Sequence, residues 1–558
     1  MENLEEIKEL FASASVTPYT EVEERHEVYV TMSDGIRLRT VYVLPRGVDK
    51  GPVILMRSCY IDQKEKMELY ADEFAKRGFI FVYQWCRGIG ESEGVWEPNV
   101  NERSDGLDTV HWLCSQKFTD CIGYYGDSYL ALAGWCMADA VPDQVKSMYL
   151  GVYGTDRFTS AYKDGLFRQD ILTSWAMQNA GVPVEADRME SYRYCPQRQV
   201  DEDLWKIHLD WYRDWIDNTQ PDDDYWNKGF WKRLREIPGK VRIPLYIREG
   251  WYDHHFGSAL IGYSELSPEA RKHSVFQIGP WNHGYQPAVT GQPLSCLKDD
   301  RIDSLLEWFT ETLVEKKLPE QAVYTYVIGA DRCKKWDQFP VNSTTKRILY
   351  FSGEKKGEDA FGLVEQKPDH EYEISYVYDP QNPVPSHGAE SLLATWNEIG
   401  SLIQPSCGYR EDVLSFVSEP LKTALEINGS INVKLYVSSD AEDTSFSAKI
   451  MEIFEDGTAV NIRGSITTLA FRNGNRMRGT YTPYSIVEIN ISMWDIAWKV
   501  RKGSRIRVDI SSSDFPEYSV HSNYPGIWSR QTETRKASQA VYMGGFYNSS
   551  LELPVTEG

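Results

Sequence analysis

Positive charge is what this chain is short of. Its 60 lysines and arginines face 82 aspartates and glutamates, a formal net charge of −22. Nucleic acid and anionic membrane both demand a basic surface, so neither is an expected partner. Long apolar runs are missing too, and none approaches the roughly 18 residues that cross a bilayer. The N-terminal stretch MENLEEIKELFASAS is acidic and helical in pattern, with no basic or apolar leader segment, and does not read as a secretion signal. The nine cysteines, scattered from Cys59 to Cys407, include no C-x-x-C pair. An odd, scattered set argues against a disulfide framework or a zinc site and suits a reducing, cytoplasmic setting. No H-E-x-x-H or similar cluster of histidines and carboxylates is present, which argues against a metal hydrolase. No internal repeat of roughly 20–50 residues is visible.

What is present is length and a regular alternation of patterns. A chain of 558 residues exceeds one hydrophobic core and implies roughly three or four domains. HEVYVTM and IRLRTVYVL flank Ser33-Asp34-Gly35, a hairpin turn signal. PVILMR and GFIFVYQW are nearly continuous apolar runs, as in strands buried on both faces, and KMELYADEFAKRG between them is helical. DGLDTVHWLCSQ reads as a further helix and CIGYYG as the next strand. Such alternation predicts a parallel sheet with crossover helices over 1–152. Residues 153–239 show helical spacing and many tryptophans without strand runs, and read as a helical cap insertion. IPLYIREGWYD and HSVFQIGPWNHG restore the buried-strand pattern over 240–320, closed by the amphipathic RIDSLLEWFTETLVEKK. Over 321–558, period-two segments such as INVKLYVSS and RIRVDISSS predict a β-sandwich.

Two serines compete for the position of a nucleophile. Gly90-Glu91-Ser92-Glu93-Gly94 matches G-x-S-x-G literally, whereas Gly126-Asp127-Ser128-Tyr129-Leu130 lacks the second glycine. A nucleophilic serine must project from a sharp strand-to-helix turn, with small residues where strand and helix run close. Ser128 has that context: CIGYYG precedes it, the helical YLALAGWCMADA follows, and Gly126 and Ala131 are small. After Ser92 comes VWEPNVNERSD, in which no helix begins, so Ser92 reads as a loop residue. Taken alone, Ser128 reads equally well as a helix-capping serine. A nucleophile also needs a base, and the base needs a carboxylate to set its tautomer. IPLYIREGWYDHHF places Asp253 just past one buried strand, and SVFQIGPWNHG places His283 just past the next. Serine, acid and histidine in that order, each after a strand, is the arrangement of an α/β-hydrolase. His254 and His255 are rival bases, but beside Asp253 they do not come from the next loop.

The stretches WYD, IGPWNH and G-D-S-Y together resemble the cocaine esterase-like (CocE/NonD) α/β-hydrolases. That family includes Xaa-Pro dipeptidyl peptidases and α-amino-acid ester hydrolases. VYDPQNPVPSHG, LSFVSEPL, LYVSSDAEDTSFSAKI and GSRIRVDISSSDFP are similar to its jelly-roll domain, so the resemblance covers most of the chain. It implies an α/β-hydrolase core, an inserted helical cap and a C-terminal β jelly roll. It also carries the nucleophile onto Ser128, the acid onto Asp253 and the base onto His283. The oxyanion hole it implies pairs the Tyr129 backbone N–H with the Tyr60 hydroxyl; the alternative is that Tyr60 is a packing aromatic. The chain has no H-G-G-G stretch that would supply such donors from the backbone. In Gln84-Trp85-Cys86-Arg87-Gly88 a tryptophan, Trp85, stands where the family has aspartate, which puts local hydrogen bonding in doubt.

The expected activity is hydrolysis of a small acyl ester through an acyl-enzyme, with no cofactor and no metal. An Xaa-Pro-type peptidase, an amide or β-lactam acylase, and a catalytically silent binding protein are the alternatives. α-Amino-acid ester hydrolases hold a substrate ammonium with carboxylates, two of them at the second and third positions after the acid. Here these are His255 and Phe256, so no preference for α-amino esters is expected. The partner is a small ester or amide, and a homo-oligomer is left open.

Overall fold

The computed structural model describes residues 4–341, 344–390, 392–393, 398–474 and 476–556. Strands β1 (Val22–Thr31) and β2 (Arg37–Pro45) form the expected hairpin, which turns at Gly35 with a φ of 87° that favours glycine. Next come β3 (Gly51–Ser58), β4 (Ile80–Trp85), β5 (Thr119–Asp127) and β6 (Val145–Gly151). Within the cap lies a two-stranded hairpin, β7 (Tyr162–Lys163) and β8 (Leu166–Phe167). The main sheet resumes with β9 (Leu245–Tyr252), β10 (Val275–Asn282), β11 (Ala322–Val327) and β12 (Arg332–Trp336). Its spatial order is β1-β2-β4-β3-β5-β6-β9-β10-β11-β12. From β4 to β11 every pair is parallel, and the pairs outside that run are antiparallel.

Burial explains the continuous apolar runs. Every residue of β4 and of β9 is buried, because helices pack on both faces. On one face Phe74, from the helix Lys64–Ala75, meets Phe81 of β4 at 5.3 Å between ring centroids. Phe309, from the closing helix Arg301–Phe309, joins the same cluster at 6.5 Å from Phe74. Sequence ends and middle of the hydrolase part are thus locked into one core, each such phenylalanine contributing about 1.5–3 kcal/mol.

The sheet does not stop where the patterning placed a boundary. β11 and β12 lie beyond residue 320, yet they extend the hydrolase sheet rather than the sandwich. Between β6 and β9 the chain is mostly short helices, among them Arg157–Ala161, Gln169–Gln178, Asp210–Asp217 and Gly229–Glu236. The C-terminal part is the jelly roll, eleven strands from Thr345–Lys355 to Ser550–Thr556. Its long strand Leu425–Ser439 buries Ile431, Val433, Leu435 and Val437 completely, the alternation seen in INVKLYVSS. No helix among the described residues is long and apolar enough to cross a membrane.

Candidate active site

Ser128 sits at the turn between β5 and the helix Tyr129–Trp135, with φ 55° and ψ −126°. A non-glycine residue rarely holds a positive φ, and here it aims the side chain out of the sheet's end. The turn is possible because Gly126 has no side chain: a Cβ there would lie 2.4 Å from the backbone of Leu130. The Ser128 N–H is anchored to the Gly151 carbonyl of β6 at 2.9 Å. Asp127 accepts hydrogen bonds from Tyr285 at 2.7 Å and Tyr125 at 2.6 Å, which fixes the residue before the serine.

Three side chains from three strand ends meet in one line. His283, after β10, has Nε2 2.9 Å from Ser128 Oγ and Nδ1 2.5 Å from Asp253 Oδ2. Asp253, fully buried after β9, also accepts the His255 N–H on Oδ1 at 2.6 Å. Burial disfavours the His283 imidazolium, but the charge and hydrogen bond of Asp253, with Asp127 nearby, hold its pKa above the ordinary value. His254 and His255 go the other way. Burial first, then the neighbouring histidines and Arg157, push both well below the usual range. His255 turns its Nδ1 to the Ser160 hydroxyl at 2.8 Å and does not reach the serine.

Tyr60 and Tyr129 flank the serine from the other side. The Tyr60 hydroxyl neighbours Ser128 and accepts from Trp175 Nε1 at 3.2 Å. Burial raises its pKa well above that of an ordinary tyrosine, so it stays a neutral O–H donor. The Tyr129 N–H is the first of its helix, a donor that no helical turn can satisfy. Its hydroxyl is engaged elsewhere, donating to Glu102 at 2.9 Å and accepting from Asn99 N–H at 2.9 Å.

These groups open into a cavity of about 1070 Å³. Its wall is aromatic: Trp175 stacks on Tyr129 with centroids 6.2 Å apart, and Trp96 and Trp215 lie 6.0 and 5.7 Å from Trp175. Among the described residues the one set of side chains spaced to hold a metal is Asp253, His254 and His283. His283 already has a partner at each ring nitrogen, so a metal there would displace Ser128 or Asp253.

Sequence comparison places the chain among known families. The profile of the X-Pro dipeptidyl-peptidase (S15) family matches residues 34–285, and that of the X-Pro dipeptidyl-peptidase C-terminal non-catalytic domain matches 319–552. The chain is 26% identical to the cocaine esterase of Rhodococcus sp. (strain MB1 Bresler), over 95% of this chain and 98% of that protein. It belongs to the cocaine esterase-like (CocE/NonD) serine hydrolases. Two solved structures share the fold of this CocE/NonD chain at full length. An aminopeptidase from a marine sediment Thaumarchaeota archaeon superposes with a TM-score of 0.82 at 21% identity, covering 97% of this chain and 98% of that one. An α-amino acid ester hydrolase gives 0.81 at 22% identity, covering 97% and 99%.

In this CocE/NonD hydrolase Ser92 is indeed part of a loop. Its Oγ donates to the Trp85 carbonyl and accepts from Arg39 N–H, both at 2.9 Å, and it does not line the cavity that holds His283. The hydrogen bonding placed in doubt by Trp85 is carried by its neighbour. Gln84 receives Arg57 and Thr109 at 2.9 Å each and donates to Thr40 at 3.0 Å. Sequence reasoning missed Trp175, Arg157 and Glu249. Glu249, fully buried on β9, has its carboxyl pushed well above the usual range by burial, with Asp253 and Asp127 adding to the effect. Its raised pKa disfavours a second negative charge beside Asp253. The signal for it was present: a glutamate inside the otherwise buried IPLYIREGWYD.

Proposed function

We propose that the protein is an acyl esterase that works through an acyl-enzyme on small esters. Ser128 is the nucleophile, His283 the general base and then the general acid, and Asp253 the carboxylate that orients the imidazole. The observation that carries the reading is the unbroken line from Ser128 Oγ through His283 to Asp253, 2.9 and 2.5 Å long. His283 takes the serine proton as Oγ attacks the ester carbonyl. The Tyr60 O–H and Tyr129 N–H receive the negative charge that develops on the carbonyl oxygen. His283 returns the proton to the leaving alcohol, and water repeats the attack on the acyl-serine.

An ester is favoured over a peptide with a free N-terminus by what replaces the ammonium-binding carboxylates. Phe256 packs against Trp251 and Trp494, with centroids at 5.2 and 6.3 Å, and His255 is held on Ser160. Neither supplies negative charge. A fluorophosphonate probe should label wild type and Ser92→Ala but not Ser128→Ala. para-Nitrophenyl esters should turn over much faster than dipeptidyl anilides. Labelling that persists in Ser128→Ala, or a reversed preference for anilides, would remove this reading.

A further inference from the structure

Among the described residues, one buried cation in the cavity wall has no carboxylate partner. Arg157 lines the wall beside His255, and only 8% of it is exposed. Every other buried arginine among the described residues has a carboxylate oxygen 2.6–3.7 Å away. Arg57 has Glu102, Arg168 has Glu390, Arg248 has Asp300 and Arg507 has Asp509; Arg77, Arg301 and Arg463 are likewise paired. Arg157 has none. Its Nε is buried with no hydrogen-bond partner. Its guanidinium lies 4.6 Å over the Trp215 ring and neighbours the Tyr153 hydroxyl, which burial holds in its neutral form. Its other titratable neighbours, His254 and His255, are held in their neutral forms, and Tyr225 stays protonated. The acid next to it in sequence is not available, because Asp156 caps the helix, accepting from Phe158 N–H and the Thr159 hydroxyl at 3.1 Å each.

An unpaired cation is held out of water only where something compensates it. We infer that Arg157 recognises a carboxylate on the substrate, so that the enzyme's esters carry a negative charge away from the scissile bond. A guanidinium suits this task, since its planar fork matches a carboxylate and its charge is permanent. The aromatic face of Trp215 holds the fork in place without neutralising it. The inference rests on the esterase reading above and adds the substrate's charge to it.

Two matched pairs of esters locate the carboxylate. In the acyl arm, mono-para-nitrophenyl adipate is compared with its methyl ester. In the alcohol arm, para-acetoxybenzoate is compared with methyl para-acetoxybenzoate. The expected result is a preference of about tenfold or more in kcat/KM for the carboxylate in one arm, near 1.4 kcal/mol, expressed mainly in KM. Arg157→Gln should erase that preference, and Arg157→Lys should keep part of it. In wild type, free adipate (or para-hydroxybenzoate for the alcohol arm) should slow fluorophosphonate labelling of Ser128. Equal rates in both arms, or a preference that survives Arg157→Gln, overturn the inference while leaving the esterase reading intact. Absence of any Ser128-dependent hydrolysis would overturn both together.

Discussion

The hydroxyl of Tyr60 has a neighbour that decides where its proton points. An indole N–H can only donate, so Trp175 Nε1, 3.2 Å away, occupies the Tyr60 oxygen as acceptor. The tyrosine's own proton is then left for Ser128 and for an oxyanion forming there. Tyr60→Phe should keep the fold and lower kcat by roughly 10²–10³, the usual loss of one oxyanion donor. Trp175→Phe keeps an aromatic against Tyr129 but releases the hydroxyl, and should lower kcat by about tenfold with Tyr60 still present. A wild-type kcat in Tyr60→Phe would take the tyrosine out of the mechanism. The pH profile tests His283. The base must be neutral to act, and Asp253 and Asp127 favour its charged form more than burial opposes it. kcat/KM should therefore rise with pH through a single limb above the ordinary histidine pKa of about 6.5. Asp253→Asn should move that limb down and cut kcat by about 10⁴. His254 and His255, held neutral, should add no second limb. A wild-type limb below about 6.5 would contradict the charge balance described here. Legibility at this scale followed loop position. Ser128, Asp253 and His283 could be read because each follows a recognisable strand. Trp175 and Arg157 could not, because they come from cap helices whose packing direction no period reveals.

At the scale of elements, the turn that carries Ser128 depends on close approach between a strand and a helix. Gly126 stands where any Cβ would meet the Leu130 backbone at 2.4 Å, and backbone cannot move aside as a side chain does. Gly126→Ala should therefore open the turn, move Ser128 Oγ off His283 and reduce kcat by at least about 10², since a shift near 1 Å has that effect. Its readout is kcat together with the rate of fluorophosphonate labelling; normal values of both would mean that the turn tolerates a methyl group. At the same scale, two strands beyond residue 320 join the hydrolase sheet. AVYTYV and RCKKW fall within the stretch assigned to the β-sandwich because short, turn-bounded strands carry the same signature in either sheet. β12 pairs antiparallel with β11 and closes the hydrolase sheet, so only the pairing partner distinguishes the two cases. Local pattern records how a strand is buried, and partners are chosen by chain that lies far away.

At the scale of the whole molecule, the jelly roll holds the loop that carries Asp253, the proposed catalytic carboxylate. Arg463, buried on the strand Ala459–Thr468, donates to the Trp251 carbonyl and, at 2.7 Å, to the Asp495 carbonyl. Its guanidinium also lies 5.4 and 5.5 Å from the rings of Tyr252 and Phe256, which bracket Asp253. Tyr252 answers by donating to the Ile462 carbonyl at 3.3 Å, and the ring of Trp494 fills the space that Gly257 leaves. The strand end, Asp253 and the start of the following helix are thus pressed into place by residues far along the chain. A methionine at 463 would fill much of the same volume but donate nothing. Two buried carbonyls would lose their partner, at about 1–3 kcal/mol each. The acid loop would also lose the support that sets its distance to His283, and small displacements at a reacting centre are amplified in rate. Arg463→Met should therefore lower Tm and lower kcat by about 10-fold or more, with KM little changed. Both quantities are read on the same purified variant, with kcat taken well below the new Tm. A lower Tm with an unchanged kcat would mean that the jelly roll supports folding alone. A loss in kcat at temperatures where the variant is fully folded would make the second domain a positioning element of the hydrolase site.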